Sequence, residues 1–219
     1  MIIPAILENN FDAIRERVDA VRGFAEWVQI DLVDGAFARN TTWPYASGDI
    51  FDLQELPDSI SIELHLMINN PQLLVEKLVE LPVGRVLFHL ESFSNPDELR
   101  EVFSVVEATH GMSAGLALKA QTEPAAIAPF LDIAHTIQLM GIRAIGMQGQ
   151  PFDESIYARI QALRAIAPDG IIEVDGGITL ENAQRLLDAG ADNLVVGSAI
   201  FAAEDIENAY ANFNALFAS

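Results

Sequence analysis

Short apolar runs recur along the chain, and each is followed by a polar turn and then by a stretch whose apolar residues have helical spacing. In the first of these stretches Phe11, Ile14, Val18 and Val21 fall on one helical face before Gly23 ends the run. The apolar runs themselves have the length and composition of buried strands. Eight strands are predicted, at residues 2–5, 27–31, 61–66, 85–90, 113–118, 135–140, 171–174 and 193–196.

The other predicted helices are marked by caps and apolar stripes. Asn70-Pro71 and Asn95-Pro96 each combine a capping side chain with a proline that suits the first helical position. The helix after Asn70 carries Leu74, Leu78 and Leu81 on one face, and the helix after Asn95 ends near residue 110. The remaining three are a stripe of Ile156, Ile160, Leu163 and Ile166 closed by Pro168, a helix from Thr179 to Gly190, and a final stripe of Ile206, Tyr210, Phe213 and Phe217.

Strands that alternate with helices in this way favour an α/β protein with a parallel sheet and helices outside it. A doubly wound open sheet would show a similar alternation. The length of 219 residues, the strand count and a glycine pattern after the last two strands favour closure into a single (β/α)₈ TIM barrel. No repeat or linker divides the chain, so one domain is expected over residues 1–219.

Composition and charge narrow the possible partners. Hydrophobic residues make up 51% of the chain, too many for a disordered protein, and they lie in blocks too short to span a bilayer. The first ten residues lack the pattern of a signal peptide, and there is no cysteine, so a cytoplasmic protein is expected. A formal charge of −20 argues against nucleic acid or a membrane as a partner. An anionic small molecule would need a local site of glycine-rich backbone.

In a barrel the chemistry lies at the C-terminal ends of the strands. The second strand ends at Asp31, and Gln29 points to the same side of the strand two residues earlier. If that side is the interior, a carboxylate stands at the barrel mouth with an amide one layer below. Alternatively, Asp31 caps a turn. Asp34-Gly35 is a common turn pair and is interpreted as structural.

The histidines give a weaker signal. His65 lies at the last inward-facing step of the third strand, where a histidine is either a satisfied core residue or part of a site. The fourth strand supplies His89 and Glu91, a pair that is compatible with packing or with an outer hydrogen bond. His110 and His135 are interpreted as structural.

Glycines follow the last two strands. Asp175 is followed by Gly176 and Gly177, and the eighth strand is followed by Gly197 and Ser198. Glycines at these two places let backbone N–H groups approach a bound anion, and Ser198 would open a short helix directed at it. The sequence therefore predicts two aspartates, Asp31 and Asp175, that face one phosphorylated small molecule.

Together these segments resemble the ribulose-phosphate 3-epimerase family, whose members are (β/α)₈ barrels of the ribulose-phosphate-binding type. The similarity covers essentially the whole chain, and His65-Leu66-Met67 together with the Asp-x-x-Asp-Gly segment that begins at Asp31 is its most specific part. The other matching segments are 3–7, 173–177 and 197–201.

The resemblance implies a reaction and a ligand set. The family inverts C3 of a pentulose 5-phosphate, and Asp31 and Asp175 would be its acid and base on opposite faces of the substrate. A divalent metal ion such as zinc, iron, manganese or cobalt would stabilise the enediolate, with Asp31, His65 and Asp175 as ligands. Gln29 stands where the family has a second histidine ligand, and an amide oxygen is a poor ligand for zinc but acceptable to harder cations.

Three further positions depart from the family pattern. Ala5 replaces a serine that contacts the substrate, and Lys119 stands where the family has Asn-Pro. The loop at residues 140–150 lacks the Pro-Gly-Phe-Gly-Gly run, although Gly149 within it is still expected to help to bind the phosphate. Lys119 is either a solvated lysine or a group that contacts the substrate and replaces part of the metal charge, and Arg143 is a second candidate anion ligand.

Three functions follow from these features. The first is a sugar-phosphate 3-epimerase that acts on a small-molecule sugar phosphate, as a homo-oligomer. The second is an aldolase or decarboxylase on the same barrel, suggested by Lys119, although the segment from Asp31 to Asp34 lacks the lysine of the Asp-x-Lys-x-x-Asp motif that such barrels carry. The third is a phosphosugar-binding barrel without catalysis.

Overall fold

Eight parallel strands form a closed barrel in the order of the sequence in a computed structural model, which describes residues 1–218. The last strand pairs with the first, with Ile2 opposite Leu194 and Pro4 opposite Val196, so the sheet has no free edge. The predicted barrel is therefore confirmed and the open sheet is excluded. The strands are β1 Ile2–Ile6, β2 Trp27–Val33, β3 Ser61–Met67, β4 Arg85–His89, β5 Ser113–Leu118, β6 Thr136–Met140, β7 Ile171–Asp175 and β8 Asn193–Val196.

Asparagine side chains cap two of the helices. Asn10, which was not predicted as a cap, precedes the first helix, and its side chain accepts a hydrogen bond from the backbone N–H of Ala13 at 3.0 Å. Asn95 caps the third helix in the same way, through the N–H of Asp97 at 2.9 Å. The α-helices are α1 Phe11–Val21, α2 Val75–Leu78, α3 Pro96–Glu107, α4 Ile156–Ile166, α5 Leu180–Ala189, α6 Ser198–Phe201 and α7 Ile206–Asn214.

The helix predicted after Asn70 differs from the expectation. It begins as a 3₁₀ turn, Pro71–Leu74, and continues as the four-residue α2. Asn70 has the left-handed backbone conformation, with φ of 53°, and its side chain makes no capping hydrogen bond. The predicted cap is wrong because a cap residue needs an extended backbone to turn its side chain towards the N–H groups of the first turn.

The barrel interior is polar over much of its depth, whereas the shell between sheet and helices is apolar. Near the N-terminal ends of the strands, Arg85 bridges Glu63 and Glu173, and its Nη2 atom lies 2.6 Å from Glu173 Oε1. Asn193 donates a further hydrogen bond to Glu173 at 2.7 Å. The candidate site therefore rests on a hydrogen-bonded layer of side chains rather than on a hydrocarbon core. Among the helices of residues 1–218, none has the length and apolar character needed to cross a membrane.

Candidate active site

Asp31, His65 and Asp175 meet at the C-terminal mouth of the barrel. The Nδ1 atom of His65 lies 3.1 Å from Asp31 Oδ1 and 3.4 Å from Asp175 Oδ2. The candidate ligand atoms of the three residues all lie within 4.8 Å of one another, and all three residues are buried. The contact between Asp31 and His65 follows from the strand register, because the two residues are paired across β2 and β3. Asp31 therefore faces the interior, as one interpretation of its strand predicted.

Asp34, and not Asp31, stabilises the turn after β2. The backbone N–H groups of Ala36 and Phe37 donate to Asp34 Oδ1 at 2.8 and 2.7 Å, and the N–H of Asn69 donates to Asp34 Oδ2 at 2.7 Å. These bonds confirm the structural role predicted for Asp34. They also leave the carboxylate of Asp31 available for the pocket.

The cluster perturbs the protonation of its members. Burial raises the pKa of Asp31, while its hydrogen bond to His65 opposes that shift. Burial lowers the pKa of His65, but the hydrogen bonds and negative charges of Asp175 and Asp31 outweigh burial and raise this pKa to about 10. In the protein alone, the imidazolium of His65 is therefore the cation that balances the two carboxylates.

A chain of hydrogen bonds through His89 and Glu91 orients the ring of His65. His89 Nε2 lies 2.9 Å from His65 Nε2, and His89 Nδ1 lies 3.1 Å from Glu91 Oε2. Burial lowers the pKa of His89 to about 4, so this ring is neutral near pH 7. Its Nδ1–H donates to the carboxylate of Glu91, its Nε2 accepts from His65, and the Nδ1 atom of His65 is directed at the aspartates. The sequence indicated His89 and Glu91 only as a weak pair.

Two glutamine amides also contact the cluster. Gln29 Nε2 lies 2.8 Å from Asp31 Oδ1, 3.3 Å from Asp175 Oδ2 and 3.4 Å from His65 Nδ1. Gln138 Nε2 lies 3.4 Å from Asp175 Oδ2 and 3.3 Å from His65 Nδ1. Gln29 was predicted one layer below Asp31 and lies there. Gln138 was missed, although its place two residues before the strand-end Met140 on β6 was a signal for an inward side chain.

Glycines from three loops line the same pocket as the two aspartates. Gly176 and Gly177 follow β7 with φ of 105° and 69°, and a Cβ atom on Gly177 would lie 3.2 Å from the backbone of Phe152. Gly197 and Ser198 lie on the next wall, where Ser198 begins α6, and Gly149 reaches the pocket from the loop after β6. The structure therefore brings together the aspartates and the five residues predicted to bind phosphate at strands 6, 7 and 8.

Lys119 is not among the residues that line this pocket. Its ammonium group lies 3.4 Å from the centroid of the Phe37 ring, which in turn packs on His89 with ring centroids 4.9 Å apart. Arg143 is paired with Asp153 at 2.7 Å and is also outside the pocket. The contact of Lys119 with the substrate therefore stays a prediction, since the amine lies over Phe37 and outside the lining of this pocket.

Comparison with known proteins assigns the chain to a family. The model of the "Ribulose-phosphate 3 epimerase family" matches residues 1–201. The chain belongs to the ribulose-phosphate 3-epimerase family. It is 34% identical over 212 residues to the ribulose-phosphate 3-epimerase of Aquifex aeolicus, which covers 94% of this chain and 92% of the relative. It is also 34% identical to the chloroplastic ribulose-5-phosphate-3-epimerase of Arabidopsis thaliana, over 95% of this chain and 74% of the relative.

Solved structures with a similar fold include more distant proteins. The 3-hexulose-6-phosphate synthase of Salmonella typhimurium superposes with a TM-score of 0.73 at 14% identity, covering 99% of this chain and 98% of the other. The orotidine 5′-phosphate decarboxylase of Pyrococcus horikoshii OT3 gives a TM-score of 0.66 at 16% identity, with 99% of both chains covered. At such low identity these similarities support the barrel fold alone.

Proposed function

We propose that this protein is a sugar-phosphate 3-epimerase that exchanges the proton on the carbon next to a ketose carbonyl. The observation that carries the proposal is the pair of strand-end carboxylates, Asp31 and Asp175, which share one pocket with the glycine loops. Membership of the ribulose-phosphate 3-epimerase family supports the same reaction and favours a pentulose 5-phosphate as the substrate.

In the proposed reaction, one aspartate acts as a carboxylate and removes the proton from one face of the substrate, while the other starts in its protonated form and gives its proton to the opposite face. The buried setting of Asp31 suits this task, because a carboxylate with a raised pKa is a stronger base than one in water. Both carboxylates lie within 3.4 Å of the Nδ1 atom of His65, so the two are close enough together to act on one small substrate.

The residues of the cluster also fit a divalent cation. Two carboxylates and the Nδ1 atom of His65 converge, and the hydrogen bond from His65 Nε2 to His89 leaves Nδ1 free to act as a ligand, as is usual for histidines that bind metals. Asp31, His65 and Asp175 would hold the ion. When bound, such an ion stabilises negative charge on the oxygens of an enediolate.

The phosphate of the substrate would bind against Gly176, Gly177, Gly197, Ser198 and Gly149. Because the glycines have no side chains, a phosphate can come close to their backbone N–H groups, and this contact requires no basic residue. A backbone site is consistent with the formal charge of −20, since attraction to the protein as a whole would not assist an anionic substrate.

Proton exchange in D₂O provides the test. Each of a panel of pentulose and hexulose phosphates is incubated with the protein and Mn²⁺ or Zn²⁺, and loss of the C3 proton signal and appearance of the epimer are followed by NMR. We expect both events for one substrate, and a loss of epimerisation of about 10²-fold or more in Asp31→Asn and in Asp175→Asn. Asp58→Asn, at an exposed position near the opposite end of the barrel, is the matched control.

The proposal would be refuted if the wild-type protein catalysed no exchange with any of these sugars, or if Asp31→Asn and Asp175→Asn retained full activity. Ligand-induced stabilisation without turnover would instead favour the binding barrel. The position of Lys119 over Phe37 removes the main argument for a Schiff-base aldolase, and borohydride trapping without an adduct at Lys119 would exclude that chemistry. The homo-oligomer and the cytoplasmic location stay predictions, to be checked by light scattering and by cell fractionation.

A further inference from the structure

The side-chain amide of Gln29 lies at the centre of the candidate ligand atoms. Its nitrogen is within hydrogen-bond distance of one atom each from Asp31, His65 and Asp175, at 2.8, 3.4 and 3.3 Å. Those three residues are also the ones that could hold a cation. In the protein alone, the NH₂ group of Gln29 therefore occupies the space that a bound ion requires.

The other end of the same amide has no partner. Gln29 is fully buried, and its Oε1 atom accepts no hydrogen bond from any residue between 1 and 218. A buried carbonyl oxygen without a partner destabilises the folded protein, so such an atom calls for an explanation. Rotation of the terminal amide by half a turn exchanges its oxygen with its nitrogen and would direct the oxygen at the cluster.

We propose that Gln29 sets the cation preference of this pocket by presenting Oε1 as a fourth ligand beside Asp31, His65 and Asp175. The inference rests on the proposed function only in assigning the cation to that cluster. The donor set then contains three oxygens and one nitrogen. Oxygen-rich sets suit manganese and magnesium, whereas a second imidazole nitrogen suits zinc. The ratio of zinc affinity to manganese affinity is therefore lower in this pocket than in the same pocket with histidine at residue 29.

Two features of the cluster favour this arrangement. The two carboxylates bring two negative charges to the donor set, so a doubly charged ion is compensated without a charge on Gln29. The nitrogen of Gln138 already lies 3.4 Å from Asp175 Oδ2, so that carboxylate keeps an amide donor when the nitrogen of Gln29 turns away. Asp31 loses its 2.8 Å hydrogen bond from Gln29 in this exchange, and the cation takes the place of that donor.

Binding measurements without substrate test the inference. Chelator-treated wild-type protein, Gln29→His and Gln29→Glu are titrated with Mn²⁺, followed by electron paramagnetic resonance, and with Zn²⁺, followed by competition with a chromophoric chelator. We expect the ratio of zinc to manganese affinity to rise by about tenfold or more in Gln29→His. Gln29→Glu, which keeps an oxygen ligand, should retain a low ratio. Addition of Mg²⁺ to ¹⁵N-labelled wild-type protein should shift the side-chain amide resonances of Gln29.

An unchanged affinity ratio in Gln29→His would overturn the inference, because Gln29 would then not be a ligand. Absence of Mn²⁺ and Zn²⁺ binding to the wild-type protein would overturn it as well. The outcome is separable from that of the proposed function, since no sugar is present. If the protein binds manganese as expected but exchanges no proton, the inference about Gln29 stands and the proposed epimerase function is refuted. If the protein epimerises in the presence of a chelator and binds no cation, the epimerase function stands and the inference about Gln29 is refuted.

Discussion

The buried layer below the active site leads to a quantitative prediction for Arg85→Met. The guanidinium of Arg85 bridges Glu63 and Glu173, which are both fully buried, and it stacks at 4.8 Å from the centroid of the Trp27 ring. Methionine keeps much of the apolar stem of arginine but removes its charge. Removal of one partner of a buried ion pair costs about 3–5 kcal/mol, so we expect the unfolding free energy to fall by up to this amount at pH 8, where Glu63 is ionised to a larger extent than at neutral pH.

The loss of unfolding free energy in Arg85→Met should be larger at higher pH. Burial and the charge of Glu173 raise the pKa of Glu63 to about 8, and burial raises the pKa of Glu173. Carboxyls with raised pKa values hold protons that the unfolded chain has released, so the unfolding free energy falls as pH rises from about 4.5 to about 8. Arg85 opposes both shifts. Without Arg85 the fall becomes steeper, and the deficit of the variant should be larger at pH 8 than at pH 5.

Urea unfolding at pH 5 and pH 8 measures both effects. Arg15→Met is the matched control, because Arg15 pairs with Asp12 on the exposed face of α1, where an ion pair contributes little. A deficit of equal size at the two pH values would refute the electrostatic argument and leave only lost packing. A deficit no larger than that of Arg15→Met would refute the claim that the bridge stabilises the barrel.

Three further perturbations test other parts of the structure. Although burial raises the pKa of Glu91, its contacts with His89 and Thr122 together outweigh burial and lower this pKa to about 2. Glu91→Gln should therefore cost about 1–3 kcal/mol at pH 6 and less as pH falls towards 2, as measured by urea unfolding at each pH. Gly177→Ala should lower stability by about 1–2 kcal/mol, measured by thermal unfolding, because Gly177 has φ of 69° and a Cβ atom would crowd Phe152. Asn10→Ala should cost about 1 kcal/mol in the same assay, through loss of the α1 cap.

The sequence by itself determined the architecture and, among the residues that line the pocket, the two aspartates and the five residues predicted to bind phosphate. The eight runs became the eight strands, with ends that moved by at most two residues, because each strand keeps an apolar face against the helices even where its inward face is polar. The glycines after β7 and β8 were identifiable for a related reason. Their place directly after a strand puts them at the barrel mouth whatever the rest of the chain does.

Only the tertiary structure decided which polar side chains meet inside the barrel. Gln29 and Asp175 are 146 residues apart, and the chain of Asp31, His65, His89 and Glu91 crosses three strands. Such contacts depend on the stagger of neighbouring strands and on the closing of the sheet, neither of which is written in a local pattern. The sequence also did not predict the left-handed backbone of Asn70 or the stacking of Lys119 on Phe37. A short motif specifies residue type and strand position, but the direction of a side chain is set by its neighbours across the barrel.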